Sequence, residues 1–313
     1  MRIAIFGAGA IGGYFGGRLV QAGEDVIFIA RGQNLEALRT HGLRVDSTMG
    51  NFAIKPVNVT NNPASVGPVD VVIVAVKTWQ LPGAIESMRP MVGPTTLVVS
   101  QLNGMDAPGE LAAAFGTERV SPGLSKIFST LAGPGHIVHG GGPATFRFSE
   151  PGGQPNEKAR LLLAALLRAG VAAAITSDID NELWEKFMFV TSFASVGAVT
   201  RAPMGVIRSI PETRQMLQDA MAEIRAVALA HGAQLGNDVI AQTMKFADQQ
   251  PAAGTASMQR DILNGRPSEL HALTGAVVRL GKKTGVATPL YTAVYHSLLP
   301  QELKARGEMQ FPS

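Results

Sequence analysis

Residues 3–12 read Ile3-Ala4-Ile5-Phe6-Gly7-Ala8-Gly9-Ala10-Ile11-Gly12. A short apolar run ends in glycines spaced G-x-G-x-x-G. With 35 glycines among 313 residues, chance alone supplies roughly 0.4 such matches, so the spacing by itself says little. Its position says more. The glycines directly follow a strand-like run and open a helical pattern over residues 10–22, which stops at Gly23. A second β-rich run follows at 26–30. In such a strand–turn–helix–strand unit the first glycine permits the tight turn, and the second lets backbone approach a pyrophosphate. The third lets the helix pack on the strand, and the helix N-terminus attracts the anion. Gly7, Ala8, Gly9, Ala10, Ile11 and Gly12 are therefore candidate dinucleotide contacts; the alternative is a glycine-rich turn without a ligand.

Outward from this unit, strand-like and helix-like patterns keep alternating. Residues 69–76 form a nearly continuous Val/Ile run, 81–91 a helical pattern and 96–100 another strand. Further β-like pieces lie at 136–139 and 144–148, before a helix over 156–169. Continuous apolar strands belong to parallel sheets covered on both faces, and the alternation predicts a doubly wound α/β domain over residues 1–177. Beyond it, residues 181–199, 211–230, 239–247, 257–263 and 268–284 show helical periodicity, with Pro211 near a start and Gly232 and Gly285 past ends. This predicts an all-helical second domain over 178–313. The polar stretch from Pro300 reads as a frayed tail.

Composition narrows the function. Lys plus Arg is 27 and Asp plus Glu 24, a formal charge of +3, with no run of four basic residues. That speaks against a nucleic-acid partner and for a small anionic molecule. There is no cysteine, so a disulfide framework, a thiolate metal site and a cysteine nucleophile are excluded. No metal is expected, because H-E-x-x-H is absent and the histidines are not at ligand spacing. No G-x-S-x-G elbow is present. Gly281-Lys282-Lys283 lacks both the glycine spacing and the Ser/Thr of a phosphate loop. Glycines interrupt the apolar N-terminus, and Arg168 and Gly170 interrupt the most apolar window, 161–175. Neither reads as a signal or membrane segment, and a cytoplasmic chain without a membrane partner is expected.

The second strand ends in Ile29-Ala30-Arg31 rather than in the carboxylate that holds the ribose of NAD. A guanidinium grips a 2′-phosphate where a carboxylate would repel it, so Arg31 argues for NADP (NADPH); a solvated loop arginine is the alternative. Lys77 follows the third apolar strand, where strand ends meet a cofactor, or else closes the strand on the surface.

Several segments in order resemble the ketopantoate reductase (2-dehydropantoate 2-reductase) family. They are the glycine loop, Ala75-Val76-Lys77-Thr78-Trp79-Gln80, Leu102-Asn103-Gly104-Met105, Glu182-Leu183-Trp184-Glu185-Lys186, and Ser257-Met258-Gln259-Arg260-Asp261. The resemblance implies a Rossmann domain, a helical domain, an active site in the cleft between them, and NADPH reduction of 2-dehydropantoate to (R)-pantoate in pantothenate biosynthesis. It implies that Lys186 is the general acid, Glu269 the acidic residue near substrate and nicotinamide, and Asn103 a contact of nicotinamide and substrate. It further makes Ser257 a substrate contact and Arg31, Lys77 and Gln80 cofactor contacts.

The residues allow this chemistry. Hydride delivery to a ketone leaves an alkoxide, and a lysine whose pKa is lowered by desolvation can protonate it. Lys186 has Phe189, Val190 and Phe193 three, four and seven residues on, an apolar helical face. A Glu182–Lys186 pair on a solvated face is the other reading. Glu269 could simply favour the first turn of a helix, Ser257 could be an N-cap, and Asn103-Gly104 a turn.

The substrate half departs from the family. Where the family has asparagines four and eight residues beyond the lysine, this chain has Val190 and Ala194. After Glu269 it reads Leu270-His271-Ala272-Leu273-Thr274-Gly275, without the family's aspartate and Asn-Gly pair. Each missing partner should weaken binding of a hydroxylated acid by about 1–3 kcal/mol, unless Thr191, Ser192 or Ser195 compensates. The expected ligand is thus a small 2-oxo acid, of the family's type or more apolar. A non-catalytic NADP-binding regulator and a 3-hydroxyacid dehydrogenase are the other readings. The oligomeric state is open, a homodimer among the alternatives.

Overall fold

The computed structural model describes residues 1–142 and 144–312. They fall into two compact units, Met1–Leu102 with Asp106–Ile179, and Asn103–Met105 with Asp180–Ser313.

The first unit begins β1 (Arg2–Phe6), α1 (Ala10–Gln21), β2 (Asp25–Ile29), α2 (Gly32–Thr40), β3 (Leu43–Ser47), β4 (Phe52–Ile54) and β5 (Val59–Thr60). It continues through β6 (Val71–Val74), α3 (Leu81–Met88), β7 (Leu97–Ser100), α4 (Ala107–Phe115), β8 (Val120–Ser121), β9 (Gly123–Lys126) and β10 (Ser129–Gly133). It closes with β11 (His136–His139), β12 (Thr145–Phe148), α5 (Glu157–Arg168) and β13 (Ala172–Ile175). The main sheet has the order β5-β2-β1-β6-β7-β8, and its strands pair in parallel. This is the doubly wound order whose reversal between β1 and β6 opens a crevice at the strands' carboxyl ends.

Burial explains why these strands are apolar throughout. Ile3, Ile5, Val71, Ile73 and Val99 pack with α1 and α5 in one cluster. Their neighbours Ala4, Phe6, Val72, Val74 and Val98 face the opposite way, against α3 and α4. Both faces are covered, so alternation disappears. Asn156 caps α5, its side-chain oxygen accepting the Ala159 amide. Two smaller sheets, β10-β11-β3-β4 and β13-β12-β9, complete the unit.

In the second unit the helices are α6 (Ile179–Thr200), α7 (Met204–Ser209), α8 (Pro211–Ala230), α9 (Val239–Asp248), α10 (Ser257–Leu263), α11 (Thr274–Thr284) and α12 (Pro289–Ala305). Among its described residues there is no strand. Met188, Ile207, Leu217, Met221, Ile224, Val227, Met258, Leu270, Val277 and Tyr291 form its core. No helix among the described residues is long and apolar enough to cross a membrane.

Two expectations from the sequence are corrected here. The helical pattern read over 268–284 becomes a helix only at Thr274, because Glu269 lies in a bend and residues 270–273 form turns. The stretch from Pro300 is not a frayed tail. It continues α12 to Ala305, with Pro300 inside the helix and Glu302 only 1% exposed. The start of α12 is stabilised from elsewhere. The Glu223 carboxylate on α8 accepts the amides of Leu290 (2.8 Å) and Tyr291 (3.1 Å), doing the work of a local N-cap.

Candidate active site

The glycine loop leaves the carboxyl end of β1 at the reversal point of the main sheet. Gly7 has φ +107°, and a Cβ there would lie 2.8 Å from the Ala75 carbonyl carbon beyond β6. A Cβ on Gly12 would overlap the Gly7 carbonyl and come within 2.8 Å of Ile5 Cγ2. Both glycines are therefore required by the protein's own packing. Gly9 is different: a Cβ there would meet nothing within 4 Å. A loop of this spacing that takes a pyrophosphate needs bare backbone at its second glycine, and Gly9 leaves that position open.

The Gly7 and Ala8 amides are used on Ile29 O, at 3.2 and 3.3 Å. The Gly13 amide bonds to Gly9 O (2.8 Å) and begins the helical ladder. Ala10, Ile11 and Gly12 thus carry the first-turn amides that lack intrahelical acceptors, and together with the α1 dipole they suit an anion.

Asn34, in the first turn of α2, was not singled out from the sequence. Its Nδ2 donates to Ala8 O (2.8 Å) and its Oδ1 accepts the Gly135 amide (2.8 Å), so it holds the loop from the side. Its amide type in a first helical turn was visible; its partners, 26 and 101 residues away, were not.

Arg31 is exposed and stands at the N-cap of α2, two residues past β2. Lys77 is half-buried beyond β6. Its amide donates to Gln80 Oε1 (3.2 Å), and the Gln80 amide returns to Lys77 O (2.9 Å). Gln80 thereby closes the single turn Thr78–Gln80 with its own side chain.

In the helical unit Asn103 and Glu269 come together. Asn103 Nδ2 donates to Glu269 Oε2 at 3.1 Å, and Glu269 is 3% exposed. The following Gly104 has φ +86°, and a Cβ there would sit 2.8 Å from Ala272 O, so this loop lies against the 269–273 turns. Asn103-Gly104 lies in a bend, and the Asn103 side chain reaches Glu269. Glu269 lies five residues before α11 rather than in its first turn, so the helix dipole is not its reason for being there. Its carbonyl accepts the amides of Ala272 (3.1 Å) and Leu273 (2.9 Å).

Lys186 is half-buried on α6. Trp184, Phe187 and Met188 turn into the core. Lys186 shares the flank of Phe189 and Phe193, whose rings stack at 6.0 Å. Ser257 is the first residue of α10, whose N-cap is Ala256. That helix is docked by buried Gln259, which donates to Ala202 O (2.9 Å) and accepts the Ala256 amide (3.1 Å). A Cβ on Gly197 would lie 2.6 Å from Gln259 Oε1, so α6 and α10 touch closely there.

Ser192 and Ser195 each have a partner inside the helical unit. Ser192 Oγ bonds Tyr291 Oη (3.2 Å) and Ser195 Oγ bonds Thr274 Oγ1 (2.8 Å), all buried between helices. Burial holds the Tyr291 phenol far above its ordinary pKa, so it stays neutral. Val190 is half-buried and Ala194 buried, and neither offers a hydrogen bond. Beyond Glu269, His271 Nδ1 lies 2.7 Å from Tyr295 Oη. Burial, with Arg306 adding to it, lowers the His271 pKa, while burial raises that of Tyr295; both are neutral near pH 7.

Comparisons with known proteins add to this geometry. The family model "Ketopantoate reductase PanE/ApbA" matches residues 3–153, and its C-terminal counterpart matches residues 178–302. The uncharacterized oxidoreductase YkpB of Bacillus subtilis is 30% identical, over 95% of this chain and 98% of its own. The 2-dehydropantoate 2-reductase of Mesorhizobium japonicum is 31% identical, over 94% of this chain and 95% of its own. The crystal structure of 2-dehydropantoate 2-reductase from Geobacter metallireducens superposes with a TM-score of 0.90 at 31% identity, covering 96% of this chain and 99% of that one.

Proposed function

The chain belongs to the ketopantoate reductase family and is an oxidoreductase, and from that premise we propose that it reduces a 2-oxo acid to the 2-hydroxy acid with NADPH. The first candidate substrate is 2-dehydropantoate, giving (R)-pantoate. The observation that carries the cofactor assignment is the bare backbone over Gly9 at the sheet's reversal point, beside the amides of Ala10, Ile11 and Gly12. Arg31, at the end of β2 where no carboxylate stands, is the ligand for a 2′-phosphate. Lys77 and Gln80 border the same opening from β6.

When bound, the dinucleotide supplies the hydride that becomes the C2–H bond of the product. The carbonyl π pair moves to oxygen, and Lys186 donates the proton that makes the hydroxyl. Glu269 fixes one Asn103 N–H, leaving the amide's other N–H and its oxygen for nicotinamide and substrate. Ser257 supplies a hydroxyl to the acid. Val190 and Ala194 carry no hydrogen-bonding group and so favour, as the second reading, an acid with less hydroxylation than 2-dehydropantoate, because an apolar side chain gains nothing from a substrate hydroxyl.

Initial rates with NADPH and with NADH, across 2-dehydropantoate, 2-oxo-3-methylbutanoate and phenylglyoxylate, test this. We expect turnover of at least one acid and a preference for NADPH. Arg31→Glu should weaken NADPH by about 1.5–3 kcal/mol, tenfold or more in kcat/KM, while sparing NADH. Equal use of both cofactors by the wild type, or an Arg31→Glu variant that still prefers NADPH, contradicts the NADP assignment. Absence of turnover with every acid contradicts the proposed reduction of these 2-oxo acids.

A further inference from the structure

Glu302 and Arg306 lie at the end of α12, the stretch whose polarity reads as a loose tail. The Glu302 side chain is 0% exposed and that of Arg306 16%. Burying a carboxylate is unfavourable unless it is paired and hydrogen-bonded, and here its partners are Ser268 and Arg306. Both Glu302 oxygens accept the Ser268 amide, at 3.0 and 3.1 Å, and the Ser268 hydroxyl donates to Oε2. Arg306 Nε donates to Glu302 Oε1 (2.6 Å) and its Nη2 to Ser268 O (3.1 Å). The Ser268 hydroxyl also accepts the Leu270 amide (3.1 Å). Every polar group of Ser268 is thus fixed from α12 or from its own turn.

Glu269 is the next residue. Its preceding peptide is held by Arg306 through Ser268 O, and its following carbonyl by Ala272 and Leu273. Its side chain is restrained by Asn103. A third strut, Tyr295 Oη to His271 Nδ1, comes from the same helix. An ion pair adds little to stability over well-packed apolar residues of similar volume, whereas it can hold one backbone segment in one place. We infer that Glu302 and Arg306 are positioning residues that act through Ser268 to hold the Glu269 carboxylate where the reaction needs it. The inference rests on the proposed reading of Glu269.

The test is a double-mutant cycle on the whole chain, Glu302→Gln and Arg306→Lys, each in the wild type and in Glu269→Gln. Readouts are kcat and KM with NADPH and the 2-oxo acid the wild type reduces fastest, NADPH Kd by fluorescence, and Tm. A misplacement near 1 Å can lower rate about a hundredfold. Glu302→Gln should therefore lower kcat by about tenfold to a hundredfold, with NADPH Kd within about twofold of wild type. In the Glu269→Gln background the same change should lower kcat less than about twofold, because the carboxylate being placed is gone. Arg306→Lys keeps a cation beside Glu302 and loses the second arm; it should show a smaller loss with the same non-additivity, and it carries the test if Glu302→Gln does not fold. Equal factors in both backgrounds, or a wild-type kcat for both variants, overturn the inference. A Glu269→Gln variant as fast as wild type instead overturns the reading of Glu269 and the inference with it, a pattern distinct from a slow Glu269→Gln beside a normal Glu302→Gln.

Discussion

Lys186→Ala should lower kcat by about 10²–10⁴, the usual worth of a positioned general acid, and leave NADPH Kd unchanged. The alkoxide formed at C2 has to be protonated, and water admitted to the place of a lysine stem is a poor substitute for an ammonium held at hydrogen-bond distance. Lys186 emerges beside stacked Phe189 and Phe193 while its neighbours Trp184, Phe187 and Met188 anchor the helix. Truncation there removes a functional group without cutting into the core, and Tm should hold. Stopped turnover with intact NADPH binding distinguishes an enzyme from a dinucleotide-binding regulator. If the variant keeps wild-type kcat, another group is the acid.

The glycine loop should separate into residues needed for folding and one needed for the ligand. Gly12→Ala drives a methyl group into the Gly7 carbonyl and against Ile5. The backbone must yield, and overpacking of this kind costs about 1–3 kcal/mol. Tm should fall and NADPH binding should be lost with it. Gly9→Ala meets no atom within 4 Å, so Tm should stay at the wild-type value. Its methyl group would stand where the pyrophosphate approaches the backbone, and NADPH Kd should rise about tenfold or more. Titration of both variants with NADPH, beside thermal melts, reads this contrast. Wild-type affinity in Gly9→Ala would mean that the open space is not the phosphate site.

The parts of the fold that were legible in the sequence are those whose partners are local or whose burial is uniform. Ile3–Phe6 and the Val/Ile run around Ile73 were readable as strands because both faces of the sheet are covered. The glycine loop was readable because its turn, its helix start and its strand lie within a few residues of one another. The sheet formed by β10, β11, β3 and β4 was only partly legible. β11 shows a strand pattern, but β10 is mostly exposed, and the pairing of Ser47 with His139 spans 92 residues. The helical site followed the same rule. Asn103 and Glu269 carried signals only through resemblance, since 166 residues separate the partners. Glu302 and Arg306 looked like solvated charges because nothing near them in sequence shows that Ser268 takes up both. Ser192 and Ser195 looked like pocket groups because a helix pattern does not show which hydroxyls a neighbouring helix has already engaged.

The most direct test of the account follows a labelled hydride. The protein is incubated with NADPH carrying deuterium on one face of nicotinamide C4, then on the other, together with the 2-oxo acid it reduces fastest, and the product is examined by mass spectrometry. The product should be a 2-hydroxy acid that is one mass unit heavier with one labelled face and unlabelled with the other, the deuterium residing at C2. NADPH that binds yet transfers no label to any 2-oxo acid, or label that appears equally from both faces, would contradict it.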